Sequence, residues 1–417
     1  MSLTGARPFN GGTLLKGAKL LLVLPQLPQD PASGAARSTR TMCEMLAGAG
    51  VEVRALATTA SERFGRADTA SYLRELGIDP QVLPGRTAGR VRPELEFTDR
   101  GIHYHLLDVG QRNMHAWQKI IGQQFDRIFD HELQSFRPDI LLAFGGLPGD
   151  VRRYERARRQ KVRIVFALRN EGYFTGRSLF DLVDGILTPS QYLTDVYRTV
   201  IGIESTPLPL PMELEDVLAP ERDPIFFTMI NPAPEKGLMV MARLAEELSV
   251  RRPDIPLLVI ESRGSAGKLV AAGLTAGYDL RRHENLMMSP ALGQPKEIYV
   301  ATRALLAPSL WQEPAGRVAA EAVLNGIPPL VSDRGGLPET CNGAGFYLPI
   351  PPDVTPRQRS PVAKAVVEPW IELIIRLEGD QEFYQEESRR ALEAGSIYRP
   401  ENLTPRYVEY FSNILNG

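Results

Sequence analysis

The strongest constraint on the fold is a pattern that occurs twice along the chain: short apolar runs alternate with segments of helical periodicity. The run Leu20–Leu24 is apolar throughout, which is typical of a strand buried on both faces. In the segment that follows, Thr39, Met42, Cys43 and Leu46 recur at helical spacing. Strands that alternate with helices form parallel sheets with right-handed crossovers. The sequence therefore predicts an α/β fold.

The predicted strands fall into two groups separated by a proline-rich segment at residues 205–224. Proline removes backbone donors and restricts the residue before it, so this segment predicts a linker. Two groups of parallel strands predict two Rossmann-like domains facing a cleft, with ligands at the carboxyl ends of the strands. The predicted strands are 20–24, 51–58, 138–146, 163–170 and 184–190 in the first group, and 225–230, 255–262, 285–289, 304–309 and 327–332 in the second.

These signals also predict the division of the chain. Residues 72–107 are less regular and indicate strand fragments among turns, whereas 114–136 and two stretches within 370–394 indicate helices. We expect a loose tail at residues 1–16, a first domain at 17–213, a second domain at 214–395 and a final segment at 396–417.

Composition excludes several classes of protein. The net charge of -2 gives no electrostatic basis for nucleic-acid binding. Two cysteines cannot form a disulfide scaffold or a four-thiolate metal site, which favours a reducing compartment. No apolar run approaches the ~20 residues that a membrane-spanning helix needs. We therefore expect a soluble, cytoplasmic protein.

Two acids stand out in the second half of the chain, in the stretch LWQEPAGRVAAEA. Pro314 suits the first position of a helix, which would place Glu313 beside the N-cap. Ala315, Gly316 and Arg317 would then offer first-turn amides to hydroxyl or phosphate oxygens. Glu321 would lie about 12 Å along the same helix, near the span from sugar to ribose in a nucleotide-sugar. Taken alone, the spacing favours a simpler alternative, in which Glu313 is an acid favoured by the helix dipole and Glu321 faces solvent.

Two further loops carry weaker signals. In MINPAPEKG, Lys236 precedes a helix that begins after Gly237, and both an ammonium and a helix N-terminus favour a diphosphate. The alternative is an exposed lysine in an ordinary turn. After the first strand, Gly34 and Ala35 are small enough for backbone amides to approach a phosphate or a sugar.

Taken together, these loops resemble the donor-binding signature of retaining family-4 (group 1) glycosyltransferases of the GT-B fold. The resemblance rests on PS at 308–309, the acids at Glu313 and Glu321, GIPPLVSDRGGLPE at 326–339 and PEKG at 234–237. It is specific over about residues 225–350, and the first half is divergent. It implies an acceptor domain followed by a nucleotide-sugar donor domain, with residues 396–417 forming a helix that crosses back to the first domain.

The resemblance also implies roles for individual residues. Lys236 would neutralise the donor diphosphate, Glu321 would bind the ribose, and Glu313 would bind the transferred sugar together with the amides near Gly316 and Arg317. It implies a hexosyltransferase-type enzyme of class EC 2.4 that uses a UDP-, GDP- or ADP-sugar as substrate. Neither a cofactor nor a metal is implied, and the chain has no Asp-x-Asp triplet.

Two departures from the family pattern affect these roles. Asn231 stands where the family usually has a cationic arginine, so we expect it to offer only a neutral amide to the donor. No histidine follows a strand of the first half; Arg169, Asn170 and Glu171 are the residues at the candidate strand end. We expect these three residues on the sugar or acceptor side, with Arg169 as a possible substitute charge. The alternative function is a catalytically degenerate GT-B protein that serves as a nucleotide-binding or partner-binding subunit.

Two other groups of residues carry less information. His103 and His105 alternate in a strand-like segment, but no cysteine or nearby histidine completes a metal site, so a structural role is favoured. Residues 152–163 hold seven basic residues, which predicts a solvated helix face or, as the alternative, weak contact with an anionic membrane surface.

Overall fold

A computed structural model describes residues 15–31, 33–61, 68–85, 93–109 and 117–417 of the chain. The chain forms two compact units. The first comprises the described residues up to Pro189 together with Thr194–Pro211 and Pro400–Gly417, and the second comprises Ser190–Leu193 and Met212–Arg399. The predicted tail ends earlier than expected, because Leu15 is buried in the core of the first unit. Residues 1–14 of that tail lie outside the described residues.

The first unit is built on a nine-stranded sheet in the order β3-β4-β5-β2-β1-β6-β7-β8-β9. Five of its strands, β1, β2, β6, β7 and β8, coincide with the predicted apolar runs. Every adjacent pair in the part of the sheet ordered β5-β2-β1-β6-β7-β8-β9 is parallel. The strands are β1 (Lys19–Leu24), β2 (Glu52–Thr58), β3 (Gln81–Leu83), β4 (Glu94–Asp99), β5 (Ile102–Leu107), β6 (Ile140–Ala143), β7 (Arg163–Ala167), β8 (Gly185–Thr188) and β9 (Thr206–Pro207).

The edge of this sheet, where the sequence indicated only strand fragments among turns, is antiparallel. β4 pairs antiparallel with both β3 and β5. β4 and β5 are joined by Arg100 and Gly101, which both have positive φ, as two-residue hairpin turns require. On β5, His105 lies 2.8 Å from Glu94 and 3.2 Å from Glu96, so it braces the hairpin.

Helices cover the first sheet and supply part of its core. Ser33 caps α1 because its side chain accepts a hydrogen bond from the amide of Ala36. Leu403, Tyr407 and Phe411 of the last helix pack with the strands in the same core. The helices are α1 (Gly34–Gly48), α2 (Thr69–Glu75), α3 (Trp117–Ser135), α4 (Pro148–Arg159), α5 (Arg177–Phe180) and α6 (Gln191–Ile201), of which Gln191–Leu193 belong to the second unit, with α15 (Pro400–Asn416) returning to the first unit.

The second unit contains a six-stranded parallel sheet in the order β12-β11-β10-β13-β14-β15. Its strands are β10 (Phe226–Ile230), β11 (Leu257–Ile260), β12 (Leu286–Ser289), β13 (Thr302–Ala307), β14 (Pro329–Ser332) and β15 (Phe346–Leu348). Its other helices are α7 (Leu214–Val217), α8 (Leu238–Arg251), α9 (Ala266–Thr275), α10 (Pro295–Ala301), α11 (Arg317–Leu324), α12 (Leu337–Thr340), α13 (Lys364–Gly379) and α14 (Gln381–Gly395).

Each unit has its own apolar core and one buried cysteine. Cys43 lies on α1 in the first unit, and Cys341 follows α12 in the second. Burial raises the pKa of both thiols, that of Cys341 to about 12. Along the described part of the chain, no helix has the length and apolar character that a membrane crossing requires.

Candidate functional site

The loops that follow β10 and β13 bring Lys236 and Glu313 together. A single 3-10 turn, Pro234–Lys236, leads into α8, and the Lys236 ammonium lies 2.5 Å from Glu313 Oε1. The Ser309 hydroxyl donates to the same carboxylate oxygen at 2.8 Å. A charge-assisted cluster therefore forms at the carboxyl end of adjacent strands, where ligands of parallel sheets bind.

The loop that carries Glu313 is fastened to the loop that carries Lys236. The amides of Leu310 and Trp311 both donate to the carbonyl of Glu235, at 2.9 and 3.0 Å. The indole of Trp311 nevertheless remains 48% exposed, so an aromatic surface lies two residues from Glu313. The sequence analysis assigned no role to Trp311, which stands inside the stretch it singled out, or to the hydroxyl of Ser309, which it noted only as part of the family pattern.

Two glycines permit the close packing of these loops. Gly237 has φ of 88°, and a Cβ there would lie 1.9 Å from the carbonyl oxygen of Pro308. Gly335 has φ of 61°, and a Cβ there would lie 2.4 Å from both the nitrogen and the oxygen of Glu313. Only glycine fits either position without moving the Glu313 loop.

The helix after Glu313 begins later than the sequence predicted. α11 starts at Arg317 with Gly316 as its N-cap, so Pro314 and Ala315 belong to the loop. The expected separation of about 12 Å between the two acids was derived for one continuous helix. That derivation is wrong, because Glu313 lies outside α11. The amides nearest the helix start are therefore those that follow Gly316.

Glu321 lies in a buried network instead of facing solvent. It is 5% exposed, its Oε1 lies 2.9 Å from Arg317 Nε, and its Oε2 accepts a hydrogen bond from the Tyr299 hydroxyl at 2.7 Å. Arg317 also forms a short ion pair with Glu213. Burial alone would lower the pKa of Arg317, but the carboxylates of Glu213 and Glu321 outweigh burial and raise it. The solvent-exposed alternative for Glu321 is therefore wrong.

Asn231 has an internal role in addition to any role toward a donor. Its amide oxygen accepts a hydrogen bond from the amide of Gly264 at 2.7 Å, which ties the loop after β11 to the loop after β10. Its φ of 65° is left-handed, a conformation that asparagine tolerates better than most residues. The side-chain nitrogen is the group of Asn231 that could donate a hydrogen bond to an anionic partner.

The candidates of the first unit lie at the carboxyl ends of β1 and β7. Gly34 and Ala35 begin α1 and are half-buried. Asn170 is exposed, and its side-chain oxygen accepts from the amide of Gly172 at 2.8 Å; Glu171 is half-buried. Arg169 is only 8% exposed, so its guanidinium lies beneath the surface to which Asn170 belongs. Burial lowers the pKa of Arg169, and the neighbouring Tyr407 of α15 opposes that effect.

The basic run 152–163 forms the end of α4 and the turn into β7, and part of its charge is satisfied internally. Arg153 is buried and pairs with Asp126 at 2.7 Å and Asp150 at 2.8 Å. Arg156 pairs with Asp126 and Asp130, and Arg163 pairs with Asp184. Three of the cations that suggested a membrane surface thus hold the first unit together.

No group of three or more histidine, cysteine, aspartate or glutamate side chains within the described ranges is arranged to hold a metal ion. The cluster that the two loops form therefore consists of one ammonium, one carboxylate, a hydroxyl and the amides at the start of α8 and α11. Such a cluster can bind an anionic group and a hydroxylated group side by side.

Comparison with known proteins agrees with this arrangement. Residues 213–349, about a third of the chain, match the family model described as glycosyl transferases group 1. This range contains Lys236, Glu313 and Glu321. None of the curated proteins matches the chain.

Solved structures resemble the whole chain at low sequence identity. A glycosyltransferase from Rickettsia africae has a TM-score of 0.67 at 12% identity, covering 96% of this chain and 99% of its own. Anabaena HepE in complex with UDP and glucose has a TM-score of 0.62 at 13% identity, with 94% and 99% covered. The catalytic domain of starch synthase IV from Arabidopsis thaliana, bound to ADP and acarbose, has a TM-score of 0.61 at 11% identity, with 94% and 100% covered. The predicted resemblance to group 1 glycosyltransferases and the predicted GT-B fold, with its two parallel-sheet domains, are confirmed.

Proposed function

We propose that the chain is a retaining glycosyltransferase of the hexosyl-transferring kind, which moves a sugar from a UDP-, GDP- or ADP-sugar to an acceptor. The observation that carries the proposal is the contact of Lys236 with Glu313, 2.5 Å apart at the carboxyl ends of β10 and β13. A nucleotide-sugar presents an anionic diphosphate next to a hydroxylated ring, which are the two groups this pair can recognise. The match of residues 213–349 to group 1 glycosyltransferases supports the same class.

Each group of the site has a part in this reaction. The Lys236 ammonium and the amides at the start of α8 stabilise the negative charge that develops on the departing diphosphate. The Glu313 carboxylate and the amides at Ala315, Gly316 and Arg317 hold hydroxyls of the transferred sugar. Glu321 holds the ribose, and Asn231 offers its amide nitrogen to a phosphate oxygen.

The chemical step needs no nucleophile from the protein. The bond between the anomeric carbon and the diphosphate oxygen breaks, and the acceptor hydroxyl attacks from the same face, so the configuration is retained. The proton of that hydroxyl passes to a donor phosphate oxygen. Lys236 and the helix amides supply the charge stabilisation, so the step requires no metal ion.

The acceptor is assigned to the first unit, where Gly34, Ala35, Asn170 and Glu171 lie at strand ends. Arg169 contributes from below this surface, because it is buried. A peripheral membrane contact through residues 152–163 would depend on the four exposed cations of that run, Arg152, Arg158, Arg159 and Lys161.

One observation favours the alternative of a degenerate subunit. Asn231 carries no charge, and its oxygen is already engaged with Gly264. A donor site with a single lysine stabilises a diphosphate less than one with two cations. In that case the protein would bind nucleotide without turnover.

The test is titration calorimetry of UDP, GDP and ADP and of their common sugar conjugates. One nucleotide series should bind, and Lys236→Ala should weaken it about tenfold or more, since a hydrogen bond to a charged group contributes about 1.5–3 kcal/mol. Glu321→Gln should weaken the same series through the ribose. Lys364→Ala is the matched control, because Lys364 is 68% exposed and pairs at 3.0 Å with Glu247, near the end of α8 opposite to Lys236. Binding without any slow donor hydrolysis would favour the degenerate nucleotide-binding subunit. No binding at millimolar concentration would reject the transferase and leave only a partner-binding subunit.

A further inference from the structure

The backbone beside Glu313 is held by two segments that lie far from it in sequence. The carbonyl of Glu313 accepts a hydrogen bond from the amide of Gly336 at 2.6 Å. The carbonyl of Pro314 accepts a short hydrogen bond from the hydroxyl of Ser190. Both carbonyls belong to the loop before α11, where helical hydrogen bonds are absent. These two bonds therefore help to fix the loop backbone at Glu313 and Pro314, in addition to the bonds of Leu310 and Trp311 to Glu235.

Ser190 is itself held at the start of α6. Its hydroxyl oxygen accepts from the amide of Leu193 at 3.1 Å, which is the geometry of an N-cap. One hydroxyl thus caps α6 and donates to Pro314 at the same time. Gly336 closes the contact, since a Cβ there would lie 2.8 Å from the Pro314 oxygen and 3.1 Å from Ser190 Oγ.

Glu339 fastens the same helix start from the other side. Its two carboxylate oxygens accept from the amides of Gln191 and Tyr192, at 2.6 and 3.0 Å. A carboxylate that accepts first-turn amides is favoured both by hydrogen bonding and by the helix dipole. Gly336 is the N-cap of α12, and Glu339 lies within that helix. One short element therefore binds both the Glu313 carbonyl and the first turn of α6, which Ser190 caps.

We propose that Ser190 and Glu339 are positioning residues for Glu313, a role that rests on the proposed function of Glu313 as the residue that binds the transferred sugar. Neither side chain touches the Glu313 carboxylate. They act on the backbone of Glu313 and Pro314, and so on the place from which the carboxylate reaches the sugar. Displacement of a positioned group by about 1 Å can reduce turnover about 100-fold.

The test compares two dissociation constants, for a nucleoside diphosphate and for its sugar conjugate, in each variant. The nucleoside diphosphate lacks the sugar, so its affinity should change less than about twofold in Ser190→Ala and Glu339→Gln. The affinity for the sugar conjugate should change about tenfold, in the same direction as in Glu313→Gln, and kcat for donor turnover should fall at least tenfold. Ser190→Thr, which keeps the hydroxyl, should restore most of the affinity for the sugar conjugate and most of kcat.

Ser388→Ala is the matched control, because the Ser388 hydroxyl also donates to a backbone carbonyl, that of Gly326, at 2.6 Å. It should leave the ratio of the two constants unchanged. Thermal unfolding identifies a variant that fails to fold. If Glu339→Gln fails to fold, the comparison of Ser190→Ala with Ser190→Thr is sufficient for the test. An unchanged ratio in both variants, alongside a changed one in Glu313→Gln, would overturn the positioning role and leave the proposed function intact. If the native protein binds no nucleotide, the proposed transferase function is rejected together with this role. If Glu313→Gln does not alter the ratio, the sugar-binding role of Glu313 is rejected, and this positioning role with it.

Discussion

At the scale of single residues, the ion pair of Lys236 with Glu313 has a consequence for ligand binding. The ammonium that would bind a diphosphate already has a carboxylate at 2.5 Å, and both side chains are largely buried. A diphosphate must therefore compete with Glu313 for the lysine and also approach a negative charge.

Replacement of this carboxylate separates binding from turnover. In Glu313→Gln we expect a nucleoside diphosphate to bind as tightly as in the native protein or up to about tenfold more tightly, since about 1 kcal/mol of repulsion and competition is removed. Donor turnover should fall at least about 100-fold, because the sugar loses its charged partner. Calorimetry and a donor-turnover assay measure the two effects.

The exposed glutamate Glu284 provides the control for this substitution. Glu284→Gln should change neither quantity. Weaker diphosphate binding in Glu313→Gln would show that the carboxylate helps to hold Lys236 in place and does not compete for it.

Asn231 supports a prediction on stability. Asn231→Ala removes the hydrogen bond to Gly264. It also places alanine at a φ of 65°, where alanine lacks the local side-chain hydrogen bonds that let asparagine adopt this angle. Asn231→Gly removes the bond but tolerates the angle. We expect urea denaturation to show a loss of about 2 kcal/mol for alanine and about 1 kcal/mol for glycine. Equal losses would mean that the backbone angle contributes nothing.

The candidate site residues could be picked out from the sequence, but most of their hydrogen-bond and ion-pair partners could not. Lys236 and Glu313 meet because each follows a strand, and strand ends converge at one edge of a parallel sheet. The partner of Arg317 could not be found in this way, since Glu213 lies 104 positions away in the proline-rich segment. The same holds for Ser190, which is 124 positions from Pro314.

At the scale of elements, α11 shows how tertiary contacts override local preference. Proline is favoured at the first position of a helix, which predicted a start at Pro314. The carbonyls of Glu313 and Pro314 instead accept from Gly336 and Ser190, so they are not available to a helical turn. The hairpin of β4 and β5 had a signal that was not used, namely Arg100 and Gly101 between two alternating segments.

The buried network at the start of α11 predicts a large effect from a single substitution. Arg317→Met leaves the carboxylates of Glu213 and Glu321 buried without their cation. Loss of one partner from a buried ion pair costs about 3–5 kcal/mol, so we expect the free energy of unfolding to fall by that amount. Arg389→Met, which removes an exposed pair with Glu386, should cost less than about 1 kcal/mol. Similar losses in the two variants would mean that the network is effectively solvated.

At the scale of the whole molecule, the two buried cysteines report on the two units separately. Neither thiol should react with iodoacetamide in the native protein at neutral pH, because both are buried and their pKa is raised. Labelling of Cys43 therefore measures the opening of the first unit, and labelling of Cys341 measures the opening of the second.

This pair of reporters tests the contribution of α15 to the first unit. Removal of residues 400–417 deletes Leu403, Tyr407, Val408 and Phe411 from its core, each worth about 2 kcal/mol of burial. Cys43 should then be labelled at least tenfold faster, as followed by mass spectrometry, while Cys341 stays protected. Removal of the exposed residues Asn416 and Gly417 alone should change neither rate. Equal acceleration at both cysteines would show that the units do not unfold separately.

The return of α15 also sets an order of events during synthesis. The core of the first unit includes side chains from Pro400–Asn416, whereas Met212–Arg399 of the second unit come earlier in the chain. At about 5–20 residues per second, the ribosome needs roughly 10–40 s to make that intervening stretch. During this time the nine-stranded sheet lacks its last helix, so the unit that begins first is completed last. Until α15 is made, the apolar side chains that pack against Leu403, Tyr407 and Phe411 have no partner from that helix.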